Sequence, residues 1–314
     1  MTVYYALGGG WGHRTRAERV LAALEIEGAE IIATGDVPPA FDGNPEAHRR
    51  WLIDRFEGRR VIVDVFPAGL QGELSGIEGV GFDYVARLLR WDEYRRAVPH
   101  TPPGFGTTYV VEALTAAHAA FVQDSSRRVV SLPLAAPRLQ PPSPAIRNDY
   151  SLVVHSGPAE EVLELLAYAR ELCDEPLFVA TRCKMALPPD CAGLVTHRPF
   201  DYFAGATRII SAAGFNLMME TEPWRSKHHV LPLPRRFDDQ YLRAARRRQG
   251  REGVSDAAAT SYGRVAPAAS SSALEAAGKN VTAFDEAGFA RANRQMGQIL
   301  ATRGYVRGEE QSPE

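Results

Sequence analysis

Two glycine-centred loops constrain this chain more than any other feature: Gly8-Gly9-Gly10-Trp11-Gly12-His13 near the start and Ala213-Gly214-Phe215-Asn216 in the second half. Each follows a short run of β-branched and small apolar residues and precedes a helix-forming stretch, so each reads as a strand, a loop and a helix in succession. One such unit in each half predicts an α/β protein with two Rossmann-like domains facing a cleft. With 314 residues the chain is long enough for two domains that each bury a core.

The first half alternates strands and helices: Val3 to Leu7, a helix from about Arg14 to Ile26, then Glu30 to Ala33 and Val61 to Val65. Near-continuous apolar strands between helices indicate parallel sheets covered on both faces. Asp64 and the following Phe66-Pro67-Ala68-Gly69 fall at a strand's carboxyl end, where open α/β sheets build their sites. Prolines 133, 137, 141, 142 and 144 make a semi-rigid connector. A second series follows, with strands at Ser151 to Val154, Leu177 to Ala180, Leu194-Val195 and Arg208 to Ile210, and an amphipathic helix from Glu160 to Cys173. The domains read as 1–140 and 145–283, with a C-terminal helix and frayed tail over 284–314. The alanine- and serine-rich stretch from Ser255 to Ala283 is expected to hold weak or irregular structure.

The formal charge is -2, from 36 basic and 38 acidic residues, so no whole-chain field argues for nucleic acid. Cys173, Cys183 and Cys191 match neither a disulfide framework nor a zinc site, and a reducing cytoplasm is expected. No window approaches a membrane span, and neither a secretory signal nor a metal site is expected. The arginines at 243, 246, 247, 248 and 251 read mainly as a solvated helix face, with contact to phosphate or an anionic lipid surface left open.

In the first loop the glycines allow close backbone approach, and Gly10 and Gly12 can present amides to a ligand. The spacing does not fit the dinucleotide-binding pattern, since His13 stands where a third glycine belongs. His13, at the loop's exit, can take a proton from an attacking hydroxyl; capping the helix is the alternative use. Gly214, Phe215 and Asn216 open a helix that carries Glu220 one turn in, where amides suit a diphosphate and a carboxylate suits ribose hydroxyls. Ordinary helix capping by Asn216 is the competing reading. Asp239 and Gln240 end an apolar stretch with acceptors and donors of the kind that grip sugar hydroxyls, or else with a cap.

Together these residues resemble the glycosyltransferases of the GT-B fold, in particular the group that contains the bacterial peptidoglycan N-acetylglucosaminyltransferase and the UDP-glycosyltransferases. Gly8 to His13 looks like that group's G-G-x-G-G-H or G-x-x-G-H loop, and Asp64 to Gly69 like a D-x-F-P-x-G segment. Gly214-Phe215-Asn216 with Glu220 resembles its donor motif, and Pro234 to Gln240 its P-x-x-x-x-D-Q segment. The resemblance implies a nucleotide-diphosphate sugar, most often a UDP-sugar, as co-substrate without further cofactor. It implies inverting, metal-independent transfer to an acceptor hydroxyl that the sequence does not name. It makes His13 the base, Glu220 the ribose ligand, Asp239 and Gln240 the sugar ligands, Ser156-Gly157 a phosphate-side loop, and Phe200 a neighbour of the nucleobase. One departure is Pro223, which ends or kinks the helix after Glu220 early. A nucleotide-sugar epimerase and a catalytically silent nucleotide-sugar-binding protein therefore stay open as alternatives.

Overall fold

The computed structural model describes residues 1–8, 12–135, 149–194, 196 and 198–249, together with the backbone of Gly263–Arg264. Gly10, most of the proline-rich connector, and the expected irregular stretch and terminal helix beyond residue 250 lie outside the described residues, apart from that short strand.

The chain begins with β1 (Thr2–Ala6), α1 (Gly12–Ala23), β2 (Glu30–Ala33), α2 (Pro45–Phe56) and β3 (Arg60–Asp64). It continues through β4 (Gly81–Ala86), α3 (Trp91–Ala97), β5 (Phe105–Val110), α4 (Ala116–Ser125) and β6 (Ser126–Ser131). These strands pair in parallel in the order β6-β5-β4-β3-β1-β2. The chain thus runs outward from β1 to β2 and then crosses back to β3 on the other side of β1. The carboxyl ends of β1 and β3 therefore flank a topological switch point, the place where open α/β sheets bind ligands.

Both faces of this sheet are covered, as the apolar runs require. Val3, Tyr5 and Leu7 pack into one core with Leu52 and Phe56 of α2, whereas Tyr4 and Ala6 pack into another with Ala17 and Val20 of α1. The alternation follows from the two-residue side-chain period of a strand. Local signals set the helix starts: the Asn44 side chain accepts a hydrogen bond from Ala47 N at 3.1 Å, and Pro45 follows it in the first turn of α2.

The second sheet is built from β7 (Ser151–Val154), α5 (Ala159–Leu172), β8 (Leu177–Ala180), β9 (Cys191–Leu194), β10 (Arg208–Ala212), α6 (Phe215–Glu220) and β11 (His228–Leu231). Its parallel strands run in the order β11-β10-β7-β8-β9, so its switch point lies between β7 and β10. On α5, Val162, Leu165, Leu166 and Ala169 form one buried stripe at helical spacing.

The chain then returns to the first unit with α7 (Gln240–Gln249) and β12 (Gly263–Arg264), which adds to the β6 edge. Among the described residues, the two compact units are Met1–Ala135 with 234–249, and 149–233. The boundaries read from the sequence, 1–140 and 145–283, left the segment from Pro234 in the second domain. It belongs with the first because its Phe237, Asp238 and Arg243 are held by side chains of that unit. Among the described residues no helix is long and apolar enough to cross a membrane.

Candidate functional site

The buried stripe of α1 opens with two polar residues. Helical spacing puts His13, Arg16, Ala17, Val20 and Leu21 on one face against the sheet. His13 is 8% exposed and Arg16 2% exposed, so each needs a partner inside the protein. Asp64, the last residue of β3 and also 2% exposed, partners both. His13 Nδ1 lies 2.8 Å from Asp64 Oδ2, Arg16 Nε donates to Asp64 Oδ1 at 2.9 Å, and the Tyr4 hydroxyl donates to Oδ1 at 3.0 Å.

These contacts fix the imidazole tautomer. Arg16 Nη2 also stands 2.9 Å from His13 Nδ1, but a proton on Nδ1 is held by the carboxylate, which can only accept. Nδ1 therefore donates to Asp64, and Nε2 is the basic nitrogen. Burial would push the Asp64 carboxyl up, but the Arg16 guanidinium and the hydrogen bonds from His13 and Arg16 hold it well below the usual carboxylate range. Burial, reinforced by the charge of Arg16, lowers His13 from its ordinary 6.5, with Asp64 opposing only in part. The result is a neutral imidazole at neutral pH, anchored through Nδ1 and able to accept a proton at Nε2.

Backbone geometry on either side is specialised. Gly8 has φ +151, and a Cβ there would overlap the His13 ring. Thr34 Oγ1 accepts from Gly8 N at 3.0 Å and donates to Gly8 O at 2.8 Å, so the loop approach is pinned. Val65, directly after Asp64, has φ +67, a left-handed conformation that is an outlier for a β-branched residue. Phe66 N donates to Asp64 O at 2.7 Å, closing a three-residue turn around Val65. Such strain costs about 1–3 kcal/mol and persists only where the surroundings enforce it. Here the Tyr84 hydroxyl donates to Val65 O at 2.7 Å, and Val65 N donates to Val85 O at 3.0 Å. The loop beyond is clamped by Tyr94, whose hydroxyl donates to Gly69 O, and by buried Glu73, which accepts from Leu70 N, Gln71 N and the Tyr5 hydroxyl. Trp91 and Tyr94 are accordingly packing residues, both buried.

Phe66 stacks on His13 with ring centroids 6.0 Å apart and an interplanar angle of 26°. Behind it lie Tyr94 and Phe237, the latter from the returning segment. Asp238 pairs with Arg87 and, at 2.8 Å, with Arg243, which also grips Glu112 through Nε at 2.5 Å and Nη2 at 3.0 Å. Arg243 and Arg247 are only 5% and 8% exposed. The expected solvated arginine face is corrected on this side of α7, because acids of the first unit meet it; Arg248 does face solvent.

The other sequence-derived candidates divide among several places. Gly12 starts α1 beside His13. Asp239 caps α7, accepting from Leu242 N at 2.9 Å, and Gln240 is buried at the helix start. Ser156 and Gly157 follow β7, while Gly214, Phe215 and Asn216 follow β10, so these two loops flank the second switch point. His155, just before Ser156, pairs through Nε2 with Glu161 of α5 at 2.6 Å, and a side chain at Gly157 would overlap both. Glu220 is buried as the last residue of α6, which Thr221 ends before a 3₁₀ turn over Glu222–Lys227 that contains Pro223. Phe200 sits in a 3₁₀ turn with the Arg198 guanidinium 5.0 Å over its ring. The sequence marked Asp64 as lying where such sheets build their sites but did not pair it with His13, and it gave Arg16 no role. The signals were there: a cation three residues after His13 on the same helical stripe, and an acid at a strand's carboxyl end. Among the described residues no cluster of His, Cys, Asp and Glu could hold a metal ion.

Fold and site together define an α/β protein with two doubly wound parallel sheets and a buried histidine–aspartate pair at the first switch point. No family model matches the chain, and no curated protein matches it. Among solved structures it is similar to CalG4, the calicheamicin glycosyltransferase, at 14% identity over 96% of this chain and 94% of that one, with a TM-score of 0.46. A likeness of that size carries no argument of its own.

Proposed function

We propose that this protein is a glycosyltransferase that moves a sugar from a nucleoside-diphosphate sugar to an acceptor hydroxyl, inverting the anomeric centre. The observation that carries this reading is the His13–Asp64 pair, whose Nε2 is basic, neutral and next to a glycine loop. In the proposed step His13 Nε2 takes the acceptor's hydroxyl proton as its oxygen bonds to the anomeric carbon. The bond from that carbon to the diphosphate breaks, and the electron pair leaves with the diphosphate. Asp64, kept ionised by Arg16, stabilises the imidazolium that forms. The loops Ser156-Gly157 and Gly214-Phe215-Asn216, with Glu220, are the residues we assign to the nucleotide. Asp239 and Gln240 are assigned to the sugar only by their motif.

The experiment is release of nucleoside diphosphate from UDP-, dTDP- and GDP-sugars with a panel of hydroxyl acceptors. His13→Ala is expected to lower turnover about 10²- to 10⁴-fold while the donor still binds. Asp64→Asn is expected to lower it too, since an amide neither orients nor balances the imidazolium as a carboxylate does. The rate should fall as pH drops through the His13 midpoint, below 6.5. Unchanged turnover in His13→Ala removes the histidine from the mechanism. A second reading, a silent nucleotide-sugar-binding protein, draws on the early end of α6 at Glu220, and binding without release in any combination favours it.

A further inference from the structure

We propose that Phe237 is a positioning residue for the His13 imidazole, delivered to the first unit by the chain's return from the second. The ring of Phe237 meets Phe66 edge-on, with centroids 5.8 Å apart at 65°, and meets Tyr94 edge-on at 5.5 Å and 88°. Phe66 in turn lies against the His13 ring. Phe66 follows strained Val65, so the turn around Val65 sets where its ring begins and Phe237 sets where the ring rests. All three aromatic residues are buried, and Phe237 is the member that does not come from the first 135 residues.

The segment is held in place from both sides of Phe237. Arg90 N donates to Phe237 O at 2.8 Å, and Arg90 Nη1 donates to Arg235 O at 3.2 Å. Asp238 is bound by Arg87 and Arg243, and Arg243 is anchored again on Glu112. Arg87, Arg243, Asp238 and Glu112 sum to zero charge when all are ionised, so the latch is electrically closed. Edge-to-face ring pairs are worth about 0.5–1.5 kcal/mol beyond their buried area, enough to bias one ring orientation. With this cover, water is kept from the Phe66 side of His13, and burial is the first cause of the imidazole's lowered basicity. The charged groups acting on His13 are Arg16 of α1, Asp64 of β3, which also accepts from Tyr4 of β1, and Arg87 beyond β4; a substitution at Phe237 removes none of them, and Arg87 keeps its partner Asp238.

The test is the titration of His13 followed by NMR in the full chain labelled at histidine, with the His13 signal assigned by its loss in His13→Gln. The wild-type midpoint is expected below 6.5. In Phe237→Ala, with Phe66 released and solvent admitted, the midpoint is expected to rise by about half a pH unit or more, and in Phe237→Leu to rise by less. Phe56→Leu, a comparable loss in the core on the opposite face of the same sheet, should leave the midpoint at the wild-type value. An unchanged His13 midpoint in folded Phe237→Ala overturns the proposal. If the alanine variant does not fold, Phe237→Leu against Phe56→Leu decides: a rise confined to the first supports the proposal, and equal midpoints overturn it. The inference rests on reading His13 as the base, but the titration uses no donor or acceptor. Its failure is therefore separate from failure of the transfer reading.

Discussion

A histidine in the first turn of a helix ordinarily faces water, yet His13 faces the sheet because it stands three residues before Arg16 and four before Ala17 on the buried stripe. The histidine itself was legible from its place at the end of a glycine loop. Its partner was not, because pairing Asp64 with His13 requires knowing that β3 lies beside β1, a fact of strand order rather than of local sequence. Burial acts on other histidines in the same way. His118 is fully buried, stacks on Trp91 at 4.3 Å, and is pushed down to about 3 by burial alone. Its folded pKa lies below its unfolded value of about 6.5, so the unfolded chain binds the extra proton. Stability is then full above pH 6.5 and is lost as pH falls below it, by up to about 2 kcal/mol between 6.5 and 5 for this one residue. We expect chemical denaturation of His118→Gln, which retains a donor for the Tyr84 hydroxyl, to show a loss smaller by about that amount over the same interval. An equal loss in both proteins would show that His118 does not titrate with unfolding.

Among elements, those with near-continuous apolar runs were plain in the sequence: β1, β3, β7, β8 and β10 all fall where hydrophobic runs placed them. The strands β4, β5 and β6 were hidden. Asp83 interrupts β4, glycine interrupts β5 and two arginines lead β6, and these polar residues are accommodated at strand starts, as in the Arg60–Asp83 pair at 2.6 Å. The basic helix α7 was misread for a related reason. Its charge density suggests solvent, whereas helical spacing puts Arg243 and Arg247 on one buried face and leaves Arg248 outside. Removing one partner from a buried charge network leaves the others uncompensated and costs about 3–5 kcal/mol, whereas an exposed charge is worth less than about 0.5 kcal/mol. Arg243→Ala should therefore loosen α7 and destabilise the first unit by several times more than Arg248→Ala, as read by denaturation and by proteolysis of the segment. Equal effects would mean that Glu112 and Asp238 do not depend on Arg243.

At the scale of the whole molecule, two doubly wound sheets were foreseen from the paired glycine loops. The return of the chain was not, since nothing in the composition around Pro234 marks a second crossing and only the partners of Phe237 and Asp238 reveal it. Each sheet brings glycines to its own switch point, Gly8 and Gly12 in the first and Gly157 and Gly214 in the second, which is where open α/β sheets bind ligands. A nucleoside-diphosphate sugar as the proposed donor is tested by a thermal-shift titration of the full chain against UDP, dTDP, GDP, ADP and NAD. A ligand that binds only the folded state adds roughly 2.7 kcal/mol at a hundred times its dissociation constant, an effect well within reach of the method. A selective shift with one nucleoside diphosphate is expected, lost in Glu220→Ala and kept in His13→Ala. No shift with any of these nucleotides, or a shift with NAD alone, would rule out a nucleoside-diphosphate donor.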